Sequence, residues 1–239
     1  MLKLKINFKK TNYLKSKVMK KTILLSALTV LGILTAGNEA KAQKGFYAGV
    51  QGTPGISMMY NADDQDDKTQ EQKTTFGISF GLGGGYNFNK NMGVGIEALY
   101  SMQGQRYEQA GLEYQKRLDY VKIPVYFSYN TNPAKTVMFT AKAGPQIGIL
   151  TNSELNVDTK GKDQTVDTKD QYESITFGAM IGAGVRVNVA KNLYVDGGLR
   201  FDGAFTNAED KDAIGYPTGR ANTYNLNAGV EVGVKYFFN

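Results

Sequence analysis

The sequence predicts an all-β protein, an eight-stranded antiparallel up-and-down transmembrane β-barrel with an N-terminal signal peptide. Apolar residues alternate with small or polar residues in segment after segment, as in ITFGAMIGAGVRVNV at 175–189. Short turns alternate with long polar loops along the chain. After residue 43 no segment has a convincing period of 3.6, so we expect almost no helix.

The leader, residues 1–42, has the three parts of a secretory signal. Lys20 and Lys21 form the positive end, residues 23–36 form the apolar stretch, and Ala40-Lys41-Ala42 forms the cleavage site. The apolar stretch has 14 residues, whereas a spanning helix requires roughly 18–20. We therefore predict translation from Met19, cleavage after Ala42 and a barrel domain over 43–239. The alternatives are a longer positive end and an uncleaved N-terminal anchor.

Eight candidate strands follow the leader, and two kinds of connection join them. We expect the strands at 44–53, 75–89, 92–104, 114–129, 136–150, 173–189, 192–206 and 223–238. The short turns are Asn89-Lys90-Asn91, 130–135 and Ala190-Lys191, and the long loops are 54–74, 105–113, 151–172 and 207–222. Short turns at one end and long loops at the other are typical of an up-and-down meander. VDTK occurs twice in the third long loop, which predicts that strands five and six continue as a polar hairpin.

The composition excludes several kinds of chemistry. The chain has no Cys and no His, so disulfides, Ser-His-Asp catalysis and His-ligated zinc are impossible. The net charge of +6 comes from the leader, which holds nine Lys and one Glu. The remainder holds 19 basic and 21 acidic residues. A nucleic-acid partner is therefore not implied.

The alternation divides each strand into an apolar face and a charged face. The regular apolar set is Phe76, Ile78, Phe80, Leu82, Val94, Ile96, Ala98, Tyr100, Val121, Ile123, Val125, Phe127, Val137, Phe139, Ala141, Ala143, Leu193, Val195, Leu199, Phe201, Leu226, Ala228, Val230, Val232 and Val234. Nine charged residues share the opposite face with many Gly, Ser, Asn and Gln: Glu97, Lys122, Lys142, Arg186, Asp196, Arg200, Asp202, Glu231 and Lys235. A soluble barrel would point the apolar set inward, and a membrane barrel would point it outward.

Three features favour the membrane barrel. The alternating segments run ten residues or more, which suffices for a tilted strand to cross the hydrocarbon. Gly81, Gly83 and Gly182 lie on the charged face, where a narrow lumen needs room for long side chains. Aromatic residues fall at both strand ends, as in the two interfacial belts of membrane barrels. The expected belts are Phe46, Tyr47, Tyr86, Phe88, Tyr129, Tyr194, Tyr236 and Phe238 beside the short turns, and Phe76, Tyr100, Tyr114, Phe177, Phe205 and Tyr224 beside the long loops.

Two motifs carry a resemblance to a known family. LDYVKIPVYFSYN at 118–130 contains Tyr120-Val121-Lys122-Ile123-Pro124, and the chain closes on VGVKYFFN. With the signal peptide and the eight strands, these segments resemble the PorT-like outer-membrane β-barrel family of Bacteroidota. The resemblance covers residues 44–238 and implies the outer membrane of a Gram-negative bacterium. It also implies recognition of the last strand by the barrel assembly machinery, although Asn239 follows the expected terminal aromatic residue.

Several groups are candidate sites, each with a structural alternative. The nine charged residues are expected to form a salt-bridged lumen rather than a cation site. Asp63, Asp64, Asp66 and Asp67 could hold a cation, although their spacing does not match an EF-hand, and a solvated loop is the alternative. GLGGGY at 81–86 lacks the Lys and the following helix of a phosphate loop. Pro124 and Pro145 predict β-bulges, with a gate as the alternative.

From these observations we expect a monomeric porin-like barrel without catalysis, cofactor or metal, whose partner is outer-membrane lipid. Its function would be that of a structural or surface-interaction scaffold, because the loops at 54–74 and 151–174 are each acidic by three charges. A narrow channel or transporter of small solutes is one alternative. An accessory component of a protein secretion system, with an extracellular or secretion-system protein as partner, is the other.

Overall fold

The computed structural model describes residues 44–109, 112–131, 136–159 and 162–238. The predicted signal peptide lies outside the described residues. Within these ranges, ten strands and one short α-helix follow in chain order: β1 Gly45–Tyr60, α1 Ala62–Asp66, β2 Gln70–Lys73, β3 Thr75–Asn87, β4 Met92–Gln109, β5 Leu112–Asn130, β6 Val137–Thr159, β7 Lys162–Asp167, β8 Ile175–Ala190, β9 Leu193–Ala204 and β10 Tyr224–Phe238. A 3₁₀-helix spans Lys169–Gln171. No helix in the described part of the chain is long and apolar enough to cross a membrane.

Eight of the strands close into an antiparallel barrel. β1 pairs with β3 on one side and with β10 on the other, where Phe46 lies opposite Phe238 and Tyr60 opposite Tyr224. The remaining wall strands pair in the order β3, β4, β5, β6, β8, β9, β10. Closure gives each wall strand two neighbours, which pairs the backbone amides and carbonyls that lipid cannot satisfy. The predicted up-and-down barrel is confirmed.

The strands continue beyond the predicted ends. β1 reaches Tyr60, the β4–β5 hairpin turns only after Gln109, and β6 runs to Thr159 before pairing with β7. These extensions lie in segments predicted as loops, because β1 continues through Pro54-Gly55 and the added parts of β4 and β6 are mostly polar. β2 adds a four-residue strand to the projecting part of β4. The polar hairpin predicted from the repeated VDTK corresponds to β6 and β7. Its second strand is not a continuation of a wall strand, because β7 ends at Asp167 and β8 begins at Ile175.

One expected loop contains a helical turn. Asn61 caps α1, since its side-chain oxygen accepts hydrogen bonds from the backbone N–H groups of Asp63 (2.9 Å) and Asp64 (3.3 Å). The two acidic residues in the first turn suit the positive end of the helix dipole.

The prediction of β-bulges at the two prolines was wrong. Pro124 lies opposite Gln146 and Pro145 opposite Ala179, and the pairing register is the same on both sides of each proline. The register instead shifts between Asp119 and Tyr120. Thr151 of β6 is unpaired at that shift, so the inward positions change from even to odd numbers along this strand.

The apolar set points away from the barrel axis, and each of its members is exposed or half-exposed. Two apolar clusters lie inside the barrel. Tyr47, Met138, Tyr194 and Phe237 fill the end that carries the short turns, called here the short-turn end. Met59, Leu118, Tyr120, Leu150 and Tyr172 fill the opposite end, called the long-loop end. The placement of Tyr47 and Tyr194 in a lipid-facing belt was therefore wrong, and both share the strand parity of the charged face. Tyr114 was also misplaced, because it lies opposite buried Tyr107 and shares the inward parity of Lys122 on β5.

Candidate functional site

The structure brings the nine predicted charged residues together in the lumen, and we call them the lumen network. They come from β4, β5, β6, β8, β9 and β10, and each makes at least one ion pair. Each is buried or nearly so, although the chain exposes its apolar residues on the outside. The inversion follows from strand parity, which places every second residue of a wall strand on the inner face.

Arg200 is the centre of the larger part of the network and is only 1% exposed. Its guanidinium nitrogens lie 2.8 Å from Glu97, 3.1 Å from Glu231 and 3.4 Å from Asp202. Two lysines complete the cluster. Lys142 Nζ lies 3.0 Å from Glu97 and 2.8 Å from Glu231, and Lys122 Nζ lies 2.5 Å from Asp202. Three carboxylates thus neutralise three bases across the width of the barrel.

A second cluster lies nearer the short-turn end. Arg186 holds Asp196 with two hydrogen bonds of 2.7 and 2.9 Å, and Lys235 Nζ lies 2.8 Å from the same carboxylate. Arg186 lies over the ring of Phe237 at 5.7 Å, and Lys235 lies over Tyr47 at 5.3 Å. These contacts join the charged cluster to the apolar plug, since a cation over an aromatic face is attracted by its electron density.

Glycine allows the tyrosines to cross the lumen. A Cβ on Gly95 would lie 2.5 Å from Tyr126 Cζ, and one on Gly85 would lie 2.4 Å from Tyr47 Oη. The two tyrosine hydroxyls approach to 3.3 Å. The cavities beside the lumen network have volumes of about 30 and 10 Å³. Such volumes hold one or two water molecules and no organic solute.

Three of the four loop aspartates bond to different partners in this structure. Asp64 pairs with Arg220, Asp63 accepts a hydrogen bond from the backbone of Ala221, and Asp67 accepts two from Thr69. Within the described ranges no three His, Cys, Asp or Glu side chains are grouped to hold a metal ion. Because α1 turns successive aspartates toward different partners, this arrangement favours the alternative of a solvated loop.

A cleft at the long-loop end was not predicted from the sequence. It has a volume of about 330 Å³ and lies among α1, the projecting β4–β5 hairpin and the segments at 171–172 and 209–220. This long-loop cleft is lined by Asp64, Gln70, Tyr107, Tyr114, Lys116, Gln171, Tyr172, Glu209, Ala213, Ile214, Gly215, Tyr216, Pro217 and Arg220. The sequence feature that could have indicated this cleft is the presence of tyrosines and charged residues in segments predicted as loops.

Arg220 joins the two carboxylates of the long-loop cleft. Its nitrogens donate to Asp64 at 2.7 and 3.1 Å and to Glu209 at 2.7 and 3.1 Å. The hydrogen bond to Glu209 is the main reason that the pKa of Arg220 lies above its usual value, and burial opposes it. Asn61 ties the same loop to α1, because its amide donates to Ala221 O and Thr223 Oγ1, both at 2.8 Å.

Tyrosines form much of the remaining lining of the long-loop cleft. Tyr107 and Tyr114 stack with ring centroids 5.0 Å apart and an interplanar angle of 8°. Lys116 Nζ lies 5.3 Å from the Tyr107 centroid, and Tyr107 Oη donates to Asp64 at 3.3 Å. Burial raises the pKa values of Tyr107, Tyr114 and Tyr172 above that of an exposed tyrosine.

A closed barrel with an apolar exterior and an ion-paired interior defines the class of integral outer-membrane proteins. The chain belongs to the family described as outer membrane protein beta-barrel domain, whose model matches residues 38–210. The protein is located in the outer membrane.

Comparison with solved structures finds other outer-membrane barrels. OprG from Pseudomonas aeruginosa is 10% identical with a TM-score of 0.49, covering 84% of this chain and 100% of that chain. Neisserial surface protein A is 15% identical with a TM-score of 0.45, covering 81% and 97%. Ail from Yersinia pestis is 13% identical with a TM-score of 0.41, covering 81% and 100%. A search of curated proteins finds no match.

Proposed function

We propose that this protein is a non-enzymatic outer-membrane scaffold, with a sealed barrel that carries its long loops on the cell surface. The filled lumen is the observation that carries the proposal. Arg200 and its three carboxylates occupy the middle of the barrel, and Tyr47 and Phe237 pack at 5.1 Å across the short-turn end. A rigid barrel with loops held by side-chain contacts suits the presentation of a contact surface.

Conductance across a planar lipid bilayer tests the sealed lumen. Purified full-length protein is inserted into the bilayer, with a general porin as the positive control for insertion. We expect no stepwise current, because a continuous water path through the lumen would require several buried ion pairs to separate at once. Stepwise openings of the wild-type protein would refute the sealed scaffold and favour the narrow channel.

Transport of small apolar solutes is the second candidate, and one observation favours it. A groove of about 460 Å³ lies on the lipid-facing side of β1, β8, β9 and β10, lined by Ile56, Met58, Phe201, Phe205 and Leu226 among others. Uptake of a fluorescent fatty acid into protein-containing vesicles tests this route. Uptake above that of protein-free vesicles would favour it over the scaffold.

The membership in the PorT-like family of Bacteroidota and the events of biogenesis are also proposals. The YVKIP motif at 120–124 and the closing segment VGVKYFFN support the former. We propose export by the signal peptide, insertion by the assembly machinery and a monomeric final state. The mass of the mature chain tests cleavage after Ala42, and light scattering in detergent tests the monomer. Cargo trapped in a deletion strain would reveal a role in secretion.

A further inference from the structure

We propose that the long-loop cleft binds a neutral saccharide ring presented outside the cell. This proposal rests on the proposed function in one respect, because it requires the long-loop end to face outward. The cleft is a concave site built from four separate parts of the chain: the first loop, the β4–β5 hairpin, the segment before β8 and the loop before β10.

The size of the cleft favours a small ligand over a folded protein. Its volume of about 330 Å³ lies at the lower end of small-molecule sites, which span roughly 300–1,000 Å³. One or two sugar rings fit such a space. A protein partner would instead need a contact of about 800 Å² per side.

The charge balance of the cleft favours a neutral ligand. Asp64 and Glu209 are both held by Arg220, and Lys116 adds a second positive charge 3.8 Å from Glu209. Two acids therefore face two bases. A phosphate or carboxylate ligand would have to break an existing ion pair. The hydroxyl groups of a neutral ligand can instead form hydrogen bonds with the carboxylate lone pairs and N–H groups that the ion pairs leave unused.

The hydrogen-bonding groups of the cleft suit hydroxyls. A carboxylate has about four acceptor positions, and Arg220 occupies two of those on Glu209. Lys116 Nζ is too far from Glu209 for a hydrogen bond at 3.8 Å, so its donors remain available. Charged side chains that are already paired give stronger hydrogen bonds than neutral ones and stay in place.

The tyrosines supply the apolar part of the recognition. The ring of Tyr114 is half-buried, with Tyr107 stacked on one face. Tyr216 is half-buried on the opposite loop and also lines the cleft. A pyranose has a face of C–H groups and a rim of hydroxyls, which matches aromatic surface surrounded by paired charges.

Saccharide binding is measured on the full chain in a detergent without a sugar headgroup, because an alkyl glycoside would compete. The probes are the methyl glycosides of glucose, galactose, mannose and N-acetylglucosamine, with glucuronic acid and glucosamine as charged counterparts. Binding is followed by calorimetry and by tyrosine fluorescence, which is readable because the chain has no Trp. We expect at least one neutral glycoside to bind more tightly than the charged sugars.

Two variants test the site and one serves as a control. Tyr114→Ala and Tyr216→Ala should each weaken binding about tenfold or more. Tyr236→Ala removes an exposed tyrosine at the short-turn end and should leave binding unchanged. Heat-modifiability on a gel verifies that all three variants fold. Absence of binding by every neutral glycoside, preference for a charged sugar, or equal binding by the folded tyrosine variants would each overturn the proposal. Bilayer conductance is independent of these results, so a failure here leaves the sealed scaffold standing.

Discussion

Neutralising Glu97 is the sharpest test of the lumen network. In Glu97→Gln the side chain keeps its shape, but Lys142 at 3.0 Å and Arg200 at 2.8 Å each lose one carboxylate. Removing one partner of a buried ion pair costs about 3–5 kcal/mol, because the other charge stays buried. Both bases retain Glu231, at 2.8 and 3.1 Å. We therefore expect a loss of about 3 kcal/mol, at the lower end of that range.

Urea unfolding in lipid vesicles measures this loss, with the folded fraction read from heat-modifiability on a gel. With a slope of about 2 kcal/mol per molar urea, the midpoint should fall by about 1.5 M. Glu71→Gln is the matched control, because this side chain is 70% exposed and lies 3.8 Å from Lys73. The control should leave the midpoint unchanged, since screened surface pairs contribute little.

A double variant separates lost charge balance from lost packing. Glu97→Gln combined with Lys142→Met removes one acid and one base, so its cost should be smaller than the sum of the two single costs. Additive costs would refute the view that mutual neutralisation holds the lumen together. An unfolding midpoint for Glu97→Gln equal to that of Glu71→Gln would refute it more directly.

Three further changes test other parts of the structure. Gly95→Ala should destabilise the barrel by about 1–3 kcal/mol, because the new methyl would lie 2.5 Å from Tyr126, whereas Gly197→Ala meets nothing within 4 Å and should be nearly neutral in urea unfolding. A Cβ on Gly219 would also meet nothing within 4 Å, but this residue has a φ of +81°. Gly219→Ala should therefore destabilise the loop by about 1–2 kcal/mol and make it more sensitive to protease. Proteolysis at the same rate as in Gly197→Ala would contradict this. Because burial raises the pKa of Tyr107, the folded chain keeps a proton that the unfolded chain releases above about pH 10, and stability should fall as pH rises from there. Tyr107→Phe should reduce that fall between about pH 9 and pH 11 in urea unfolding, and an identical pH dependence would count against the buried environment.

The pairing inside the lumen was only partly readable from the sequence. Parity alone placed Arg200 and Glu97 on the same face, because it assigns every second residue of a strand to that face. Which acid meets which base depends on the strand register, since Arg200 and Glu97 are separated by 103 positions in the chain. Tyr47 illustrates a missed signal, because it alternates in step with Gly49 and Gln51 of the lumen rather than with lipid-facing Phe46.

By itself, the sequence determined the closed antiparallel barrel, its two unlike faces and the nine charges of its interior. These features follow from a period of two residues and from the requirement that lipid leaves no backbone group unpaired. The arrangement of the segments at the long-loop end was decided only by the tertiary structure. In the long-loop cleft Asp64 contacts Arg220, which is 156 positions away in the chain. Polar segments have no hydrophobic period from which such a contact could be predicted. The long reach of β4, β5 and β6 was likewise decided by pairing with neighbouring strands rather than by apolar burial.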